Sequence, residues 1–294
     1  MNANFKGRVV VTGASTGIGF ACVETLIHAG FFVFGSVRRQ EDADRLQQRQ
    51  GAAFAPLIFD VRNADEVAAA AEALGAQLGG DTLQGLVNNA GVALPGPLLH
   101  QPLEEFKRQF EINLFGQLRV IQSFAPFLGA DQNRRGAPGR IVNMSSIAGK
   151  SGMPYLGAYA ASKHAFEGFS DALRRELMLY GIDVIVIEPG VIATPIWDKA
   201  EHAPLDRYDS TPFGEGARHM QKYAVERGRK GPPPELVARA VLRALTEKRP
   251  PTRKLVVARP LLDWFLPRLI PERVFDRLIA KRLGLLSEKI EVQI

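Results

Sequence analysis

Three side chains in the middle of the chain have types and spacing suited to proton transfer. Tyr159 and Lys163 stand four residues apart in Y-A-A-S-K, so on a helix both project from one face. A free phenol has a pKa of about 10, too high for a base near neutrality. An ammonium within about 4–6 Å favours the phenolate, and Tyr159 can then exchange a proton with a carbonyl or alcohol oxygen. Ser146, at the end of I-V-N-M-S-S, can hydrogen-bond that oxygen as charge develops on it, with Ser145 as the competing serine. A second chemistry stands near the N-terminus as T-G-A-S-T-G-I-G, residues 12–19. Gly13 permits a tight turn, Gly17 lets backbone approach a pyrophosphate, and Gly19 lets a helix pack closely on a strand. The N–H groups at the start of that helix, with Ser15, Thr16 and Ile18 around them, suit phosphate.

These groups need a scaffold, and the apolar pattern supplies one. Short runs at 8–12, 31–37, 53–60, 85–88, 140–145, 183–188 and 254–258 lack polar alternation. Strands apolar on both faces belong in a parallel sheet covered on each side. Helical patterns fall between them, near 18–29, 41–50, 63–79, 103–128, 158–180 and 234–247. Repeated strand–helix order predicts an α/β, doubly wound parallel seven-stranded sheet with helices on both faces. One domain is expected over 1–294, with a proline-broken, irregular substrate-loop insertion about 191–233 and an amphipathic C-terminal extension about 260–294.

Further motifs follow in order. N-N-A-G occupies 88–91, Asn113 stands in E-I-N-L, Ser146 precedes Tyr159 by thirteen residues, and Pro189–Gly190 follows the sixth strand with Thr194 behind. With G-x-x-x-G-x-G in the first loop, this order resembles the short-chain dehydrogenase/reductase family. The resemblance implies a Rossmann fold and hydride transfer with Tyr159 as general acid/base, Ser146 preferred over Ser145 as its partner. It also implies that Lys163 holds the nicotinamide ribose and that Asn113 helps hold a water linking Lys163 to solvent. The implied cofactor contacts are Gly13, Ser15, Thr16, Gly17, Ile18, Gly19, Asn89, Ala90, Gly91, Tyr159, Lys163, Pro189, Gly190, Ile192 and Thr194. Asp60-Val61 resembles the pair that contacts adenine.

The second strand ends in V-R-R, without the acid that would repel a 2′-phosphate, so Arg38 and Arg39 point to NADP, with NAD the alternative. The chain is most similar to the 17β-hydroxysteroid and retinol dehydrogenase branch. That implies interconversion of a hydrophobic alcohol and its ketone or aldehyde, steroid-, retinoid- or lipid-like. Besides Ser146 and Tyr159, Met153, Tyr155 and Trp197 are expected to touch substrate. A 3-oxoacyl-thioester reductase and a catalytically idle NADP-binding regulator are the competing readings.

Composition bounds the rest. The 294 residues carry a formal net charge of +6, and 23% are charged, so wholesale disorder is excluded. Cys22 alone excludes a disulfide framework, and the five histidines show no metal-ligand spacing, so no metal is expected. No leader pattern opens the chain and no apolar run is long enough to span a bilayer, so a cytoplasmic protein is expected. The positive imbalance lies within 246–289, which argues against nucleic acid as a partner. From Pro271 onward Val274, Phe275, Leu278, Ile279 and Leu283 recur at helical steps among Arg273, Arg277, Lys281 and Arg282. This C-terminal helix is expected to cap the pocket, join subunits or lie peripherally on a membrane. A homodimer or homotetramer through helices near 103–128 and 158–180 is expected, by resemblance and from the small residues Ala161, Ala165, Gly168 and Ala172.

Overall fold

Strands β1 (Arg8–Val11), β2 (Phe32–Val37), β3 (Phe54–Ile58), β4 (Gly85–Asn88), β5 (Arg140–Met144), β6 (Asp183–Pro189) and β7 (Arg253–Val256) pair in parallel as a sheet ordered β3-β2-β1-β4-β5-β6-β7. The structure, a computed structural model, describes residues 5–286. The helices are α1 (Gly17–His28), α2 (Gln40–Gln50), α3 (Ala64–Leu78), α4 (Leu103–Phe110), α5 (Gly116–Phe124), α6 (Gly157–Glu176), α7 (Ile196–Glu201), α8 (Gly214–Arg229), α9 (Glu235–Thr246), α10 (Leu266–Leu269) and α11 (Glu272–Arg282).

The uninterrupted apolar runs have a direct packing cause. Val9 and Val11 of β1 enter one core with α1, α2 and α9, whereas Val10 between them enters a second core with α3, α5 and α6. Val87 and Leu86 of β4 divide the same way, as do Val142 and Ile141 of β5. Each such fully buried side chain contributes about 1.5–3 kcal/mol, so neither face tolerates a polar residue. Between β1 and β4 the strand order reverses, opening a crevice at their carboxyl ends.

Two elements differ from the sequence pattern. The helix expected over 103–128 is interrupted by a π-helical turn at Glu111–Phe115, between α4 and α5. The stretch expected to be irregular holds α7 and the sixteen-residue α8. Its glycines hid the helix, but they serve close packing: a Cβ on Gly228 would strike the Trp197 indole, and one on Gly216 would strike the Tyr155 hydroxyl.

The tail folds back on its own chain. Leu283 is buried with Tyr155, Leu205, Tyr208, Ala217 and Met220, and Ile279 and Leu285 pack against the same cluster. Leu261, Leu269 and Leu278 remain exposed at 75%, 80% and 56%. Among the described residues no helix is long and apolar enough to cross a membrane.

Candidate active site

The phosphate loop leaves β1 and enters α1 at the crevice. Gly13 and Gly17 have φ of +65° and +59°, a left-handed conformation that side chains resist. A Cβ on Gly19 would strike the Gly13 carbonyl, so only glycine lets α1 start this close to β1. Thr16 caps α1 without a side-chain bond, and its first turn holds no acid, so no side chain competes with an anion for the leading N–H groups. Thr12 Oγ1 accepts from the N–H groups of Asn89 and Ala90 at 2.9 and 3.0 Å, and Asn89 Nδ2 donates to Thr12 O at 2.9 Å. The loop after β1 is thereby locked to the N-N-A-G turn after β4. Across the loop, Thr194 lies 3.3 Å from where a Gly17 Cβ would stand. The structure thus brings Gly13, Gly17, Gly19, Asn89, Ala90 and Thr194 to one mouth. Gly91 continues it, with Asn113 Oδ1 3.3 Å from its Cβ position. Pro189 ends β6, Gly190 donates to Val256 O at 2.9 Å, and Ile192 is buried.

Ser146, Tyr159 and Lys163, the residues expected to transfer a proton, come together after β5 and in α6. Ser146 caps a single turn after β5, its Oγ accepting from Ala148 N at 3.1 Å, and it lies close enough to the Tyr159 phenol to bear on its pKa. Burial raises the pKa of Tyr159 above its ordinary value, and the Ser146 bond acts against that rise. Ser145 lies instead beside Glu167 of α6; burial pushes that carboxyl up, but Ser145 together with Lys150 and Arg253, each 3.0 Å from it, holds it below its usual range. Lys163 is buried one turn beyond Tyr159. Its Nζ donates to Met144 O at 2.7 Å and lies 6.0 Å from the Tyr159 ring centroid. Burial pushes the ammonium down to about 8, with Glu167 pulling it up.

Asn113 sits in the π-helical turn. Its Oδ1 accepts from Val92 N at 2.9 Å, and its Nδ2 donates to Val92 O at 3.0 Å and Ser162 Oγ at 3.1 Å. Both amide hydrogens are therefore committed, and any hold on a water falls to the remaining lone pair or to the widened backbone of the turn.

On the substrate side, the expected residues have unequal exposure. Tyr155 is buried, with φ of +66°, the positive φ of a non-glycine residue among those described. Its ring packs in the cluster beneath α8, and its hydroxyl donates to Phe213 O at 3.3 Å. Met153 packs against that cluster, while Trp197 donates from Nε1 to Ile192 O at 2.7 Å. Tyr155 thus supports the roof rather than lining it.

At the adenosine end, Arg38 and Arg39 are both exposed just past β2. Arg39 pairs with Asp42 at 3.2 Å. Asp60 pairs with Arg62 at 2.8 Å, and that bond holds its carboxyl below the usual range. Val61 is buried, its carbonyl accepting from Arg119 at 2.7 Å. Sequence reasoning missed Arg45, which reaches from α2 to donate to Ser15 O at 3.0 Å. It also missed Ser36, whose Oγ accepts from Gly13 N at 3.1 Å. Only the Arg–x6–Arg spacing past β2 hinted at the first; nothing marked the second.

Comparison with known proteins identifies the family. Residues 7–204 match the family model described as short chain dehydrogenase. The NADPH-dependent 3-dehydrocapnine reductase of Ornithobacterium rhinotracheale is 40% identical over 280 residues, covering 95% of this chain and 98% of that protein. The 3-ketodihydrosphingosine reductase of Bacteroides thetaiotaomicron is 30% identical over 249 residues, covering 84% and 87%. A short-chain dehydrogenase from Streptomyces avermitilis superposes with a TM-score of 0.72 at 26% identity, covering 95% and 97%. The fold, the loop and the family match converge: the chain belongs to the short-chain dehydrogenase/reductase family of oxidoreductases.

Proposed function

We propose that this protein is an NADPH-dependent reductase of a ketone borne on an apolar, lipid-like molecule. The observation that carries the reading is the grouping of Ser146 and Tyr159, with Lys163 Nζ 6.0 Å from the Tyr159 ring, beside a glycine cradle whose backbone no side chain could adopt without strain. Two relatives named as reductases of 3-dehydrocapnine and 3-ketodihydrosphingosine support the direction and the substrate class.

The residues divide the work. The α1 N-terminus and Gly13–Gly19 loop hold the pyrophosphate, and Arg38 and Arg45 attract the 2′-phosphate. A bound nicotinamide dinucleotide supplies hydride to the carbonyl carbon. Ser146 donates a hydrogen bond to the carbonyl oxygen, and Tyr159 gives that oxygen its phenolic proton, so the product is an alcohol. Lys163 stabilises the phenolate left behind, which regains a proton from solvent through the Asn113 turn. Ile196, Trp197 and the face above Tyr155 exclude water from the reacting centre, with α11 as the outer cap. Two copies pair through α5 and α6, where Gly168 and Ala172 are exposed rather than packed on the sheet. The exposed apolar and basic surface of the tail gives peripheral contact with a membrane.

The test is Tyr159→Phe. NADPH oxidation with a ketone panel should fall by at least about 100-fold while NADPH binding stays within about threefold. Turnover equal to that of the unaltered enzyme would overturn the mechanism. NADPH binding without turnover of any ketone, aldehyde or 3-oxoacyl thioester by the unaltered enzyme would favour a binding regulator.

A further inference from the structure

Beyond β4 the chain runs through residues 90–94 outside any strand, and its partly buried backbone needs other partners. Three carboxamides supply them. Gln117 Nε2 donates to Ala90 O at 2.7 Å, and Asn113 pairs with both backbone groups of Val92. Gln109 Oε1 accepts from Leu94 N at 2.8 Å, while its Nε2 donates to Val92 O at 2.5 Å. All three side chains are buried. The match is one of lengths: four helical residues rise about 6 Å, and two extended residues advance about 6.6 Å. Amides at steps of four along α4 and α5 therefore meet every second residue of the loop. In a regular α-helix the side-chain direction advances by about 40° every four residues. The π-helical turn has more residues per turn, so it takes back part of that advance and keeps the three amides in line.

The two ends of this clamped segment reach different parts of the site. Asn89, just before it, is locked to Thr12 at the phosphate loop. Gly96, just after it, donates from N to Tyr155 O at 2.8 Å and bridges in parallel to Leu156, which caps the helix that carries Tyr159. Leu94 is held by both its backbone groups, the N–H by Gln109 and the C=O by Gln101 Nε2 at 3.0 Å. Its side chain is nevertheless only half-buried and belongs to none of the three apolar clusters. A fixed backbone under an uncommitted apolar side chain suits the wall of an apolar ligand pocket.

We infer that Gln109 is a positioning residue for the ketone, acting through Leu94, and that Gln117 serves the cofactor end of the same segment through Ala90. The inference rests on the reductase reading and adds to it a wall that the substrate meets. Gln109 acts at one remove: both ends of its amide bind backbone, and Leu94 holds the ketone toward Tyr159.

A pair of apolar, near-isosteric replacements tests the division of labour. Gln109→Met and Gln117→Met each remove two hydrogen bonds, since Gln117 Nε2 also donates to Ile112 O at 3.1 Å, so a general loss of stability would affect both alike. The ketone is the apolar one of the panel that the unaltered enzyme reduces best. Gln109→Met should raise its KM about tenfold and leave the Kd for NADPH within about threefold. Gln117→Met should weaken NADPH about tenfold and change the ketone KM less than about threefold. Equal effects of both variants on both constants would mean a structural role and overturn the inference. Leu94→Ala removes no buried polar partner and keeps the test open if a methionine variant fails to fold. It should raise the ketone KM about tenfold with NADPH binding retained, and an unchanged KM would overturn the inference. Where Gln109→Met folds, adding it to Leu94→Ala should raise KM by less than about twofold more, because one acts through the other; independent, multiplying effects would reject that route. The last measurement needs no turnover. Hydrogen exchange across residues 92–98 of the NADP⁺-loaded enzyme should quicken about tenfold in Gln109→Met, and unchanged exchange would overturn the clamp. Quickened exchange with no ketone reduced by the unaltered enzyme would sink the reductase reading alone.

Discussion

Asn113 Nδ2 donates to Ser162 Oγ at 3.1 Å, and Ser162 lies in α6 on the turn between Tyr159 and Lys163. Ser162 Oγ in turn donates to Tyr159 O at 2.7 Å. The π-helical turn is thus pinned to the helix that carries Tyr159. Asn113 and Ser162 are both fully buried, so neither group can turn to water for a replacement bond. Ser162→Ala should leave an Asn113 amide hydrogen unpaired, at a cost of about 1–3 kcal/mol. A fall in Tm of several degrees is expected, with kcat down by about tenfold and the KM for NADPH little changed. An unchanged kcat in a destabilised variant would limit the contact to stability.

Lys163 gives a pH dependence whose sign is fixed. Burial holds its folded pKa at about 8, below the ordinary 10.5. Below pH 8 both states carry the proton, and the folded state bears the full cost of a buried ammonium. Between about pH 8 and 10.5 the unfolded chain binds more protons, so this residue's contribution to stability rises with pH. Comparing urea denaturation of the unaltered protein and Lys163→Met at pH 7.5 and 10 should show the stability gap shift in favour of the unaltered protein at the higher pH. A gap independent of pH would mean that Lys163 titrates normally.

Cofactor choice should follow the arginines beyond β2. Arg39 and Arg45 are both held by Asp42, at 3.2 and 2.9 Å, which leaves Arg38 the least committed of the three. Arg38→Asp places a carboxylate where the 2′-phosphate would lie and removes its counter-charge. The NADP-to-NAD ratio of kcat/KM should fall by at least about 100-fold, and Arg45→Gln by about tenfold. An unchanged ratio in Arg38→Asp would reject this placement of the 2′-phosphate.

Much of this was legible in the residues, for reasons the packing explains. Val9, Val10 and Val11 read as a buried parallel strand because alternate side chains enter the two cores. Gly13, Gly17 and Gly19 read as a cradle because each occupies a place that a side chain would strain or fill. The thirteen-residue interval by itself favoured Ser146 over Ser145; what the residues did not show is that the two part company after β5, Ser145 toward Glu167 and Ser146 toward Tyr159. The π-helical turn was hidden because its residues, E-I-N-L-F, suit an α-helix as well as their neighbours do. Arg45 escaped notice because its contact with Ser15 spans thirty residues.

Gly216 tests whether the tail roofs the pocket. Its Cβ would meet the Tyr155 hydroxyl and come 2.6 Å from Leu283 O, so Gly216→Val should pry α11 from α8. A rise of about tenfold in KM for an apolar ketone is expected, with NADPH affinity retained and the tail more open to protease. Unchanged KM with a protease-sensitive tail would show that α11 is not part of the substrate site.

The outward side of the same tail makes a separate prediction. Phe265, Leu266, Leu269, Val274 and Leu278 are exposed beside Arg273, Arg277 and Lys281, although Leu283 on the inner side is buried. One helix cannot bury both sides against its own chain, and the outer side combines the apolar and cationic groups that suit an anionic bilayer surface. Each basic residue near such a surface contributes about 1 kcal/mol, so three of them with one or two inserted leucines give reversible binding rather than anchoring. The protein should float with vesicles containing about one-third phosphatidylserine and not with purely zwitterionic vesicles, and added salt should release it. Leu269→Glu combined with Leu278→Glu should abolish flotation and leave turnover of a water-soluble ketone within about twofold, because neither side chain faces the inner cluster. Flotation untouched by the double change would place the lipid contact elsewhere, and lost turnover of the soluble ketone would assign this surface to the active site or to a partner subunit.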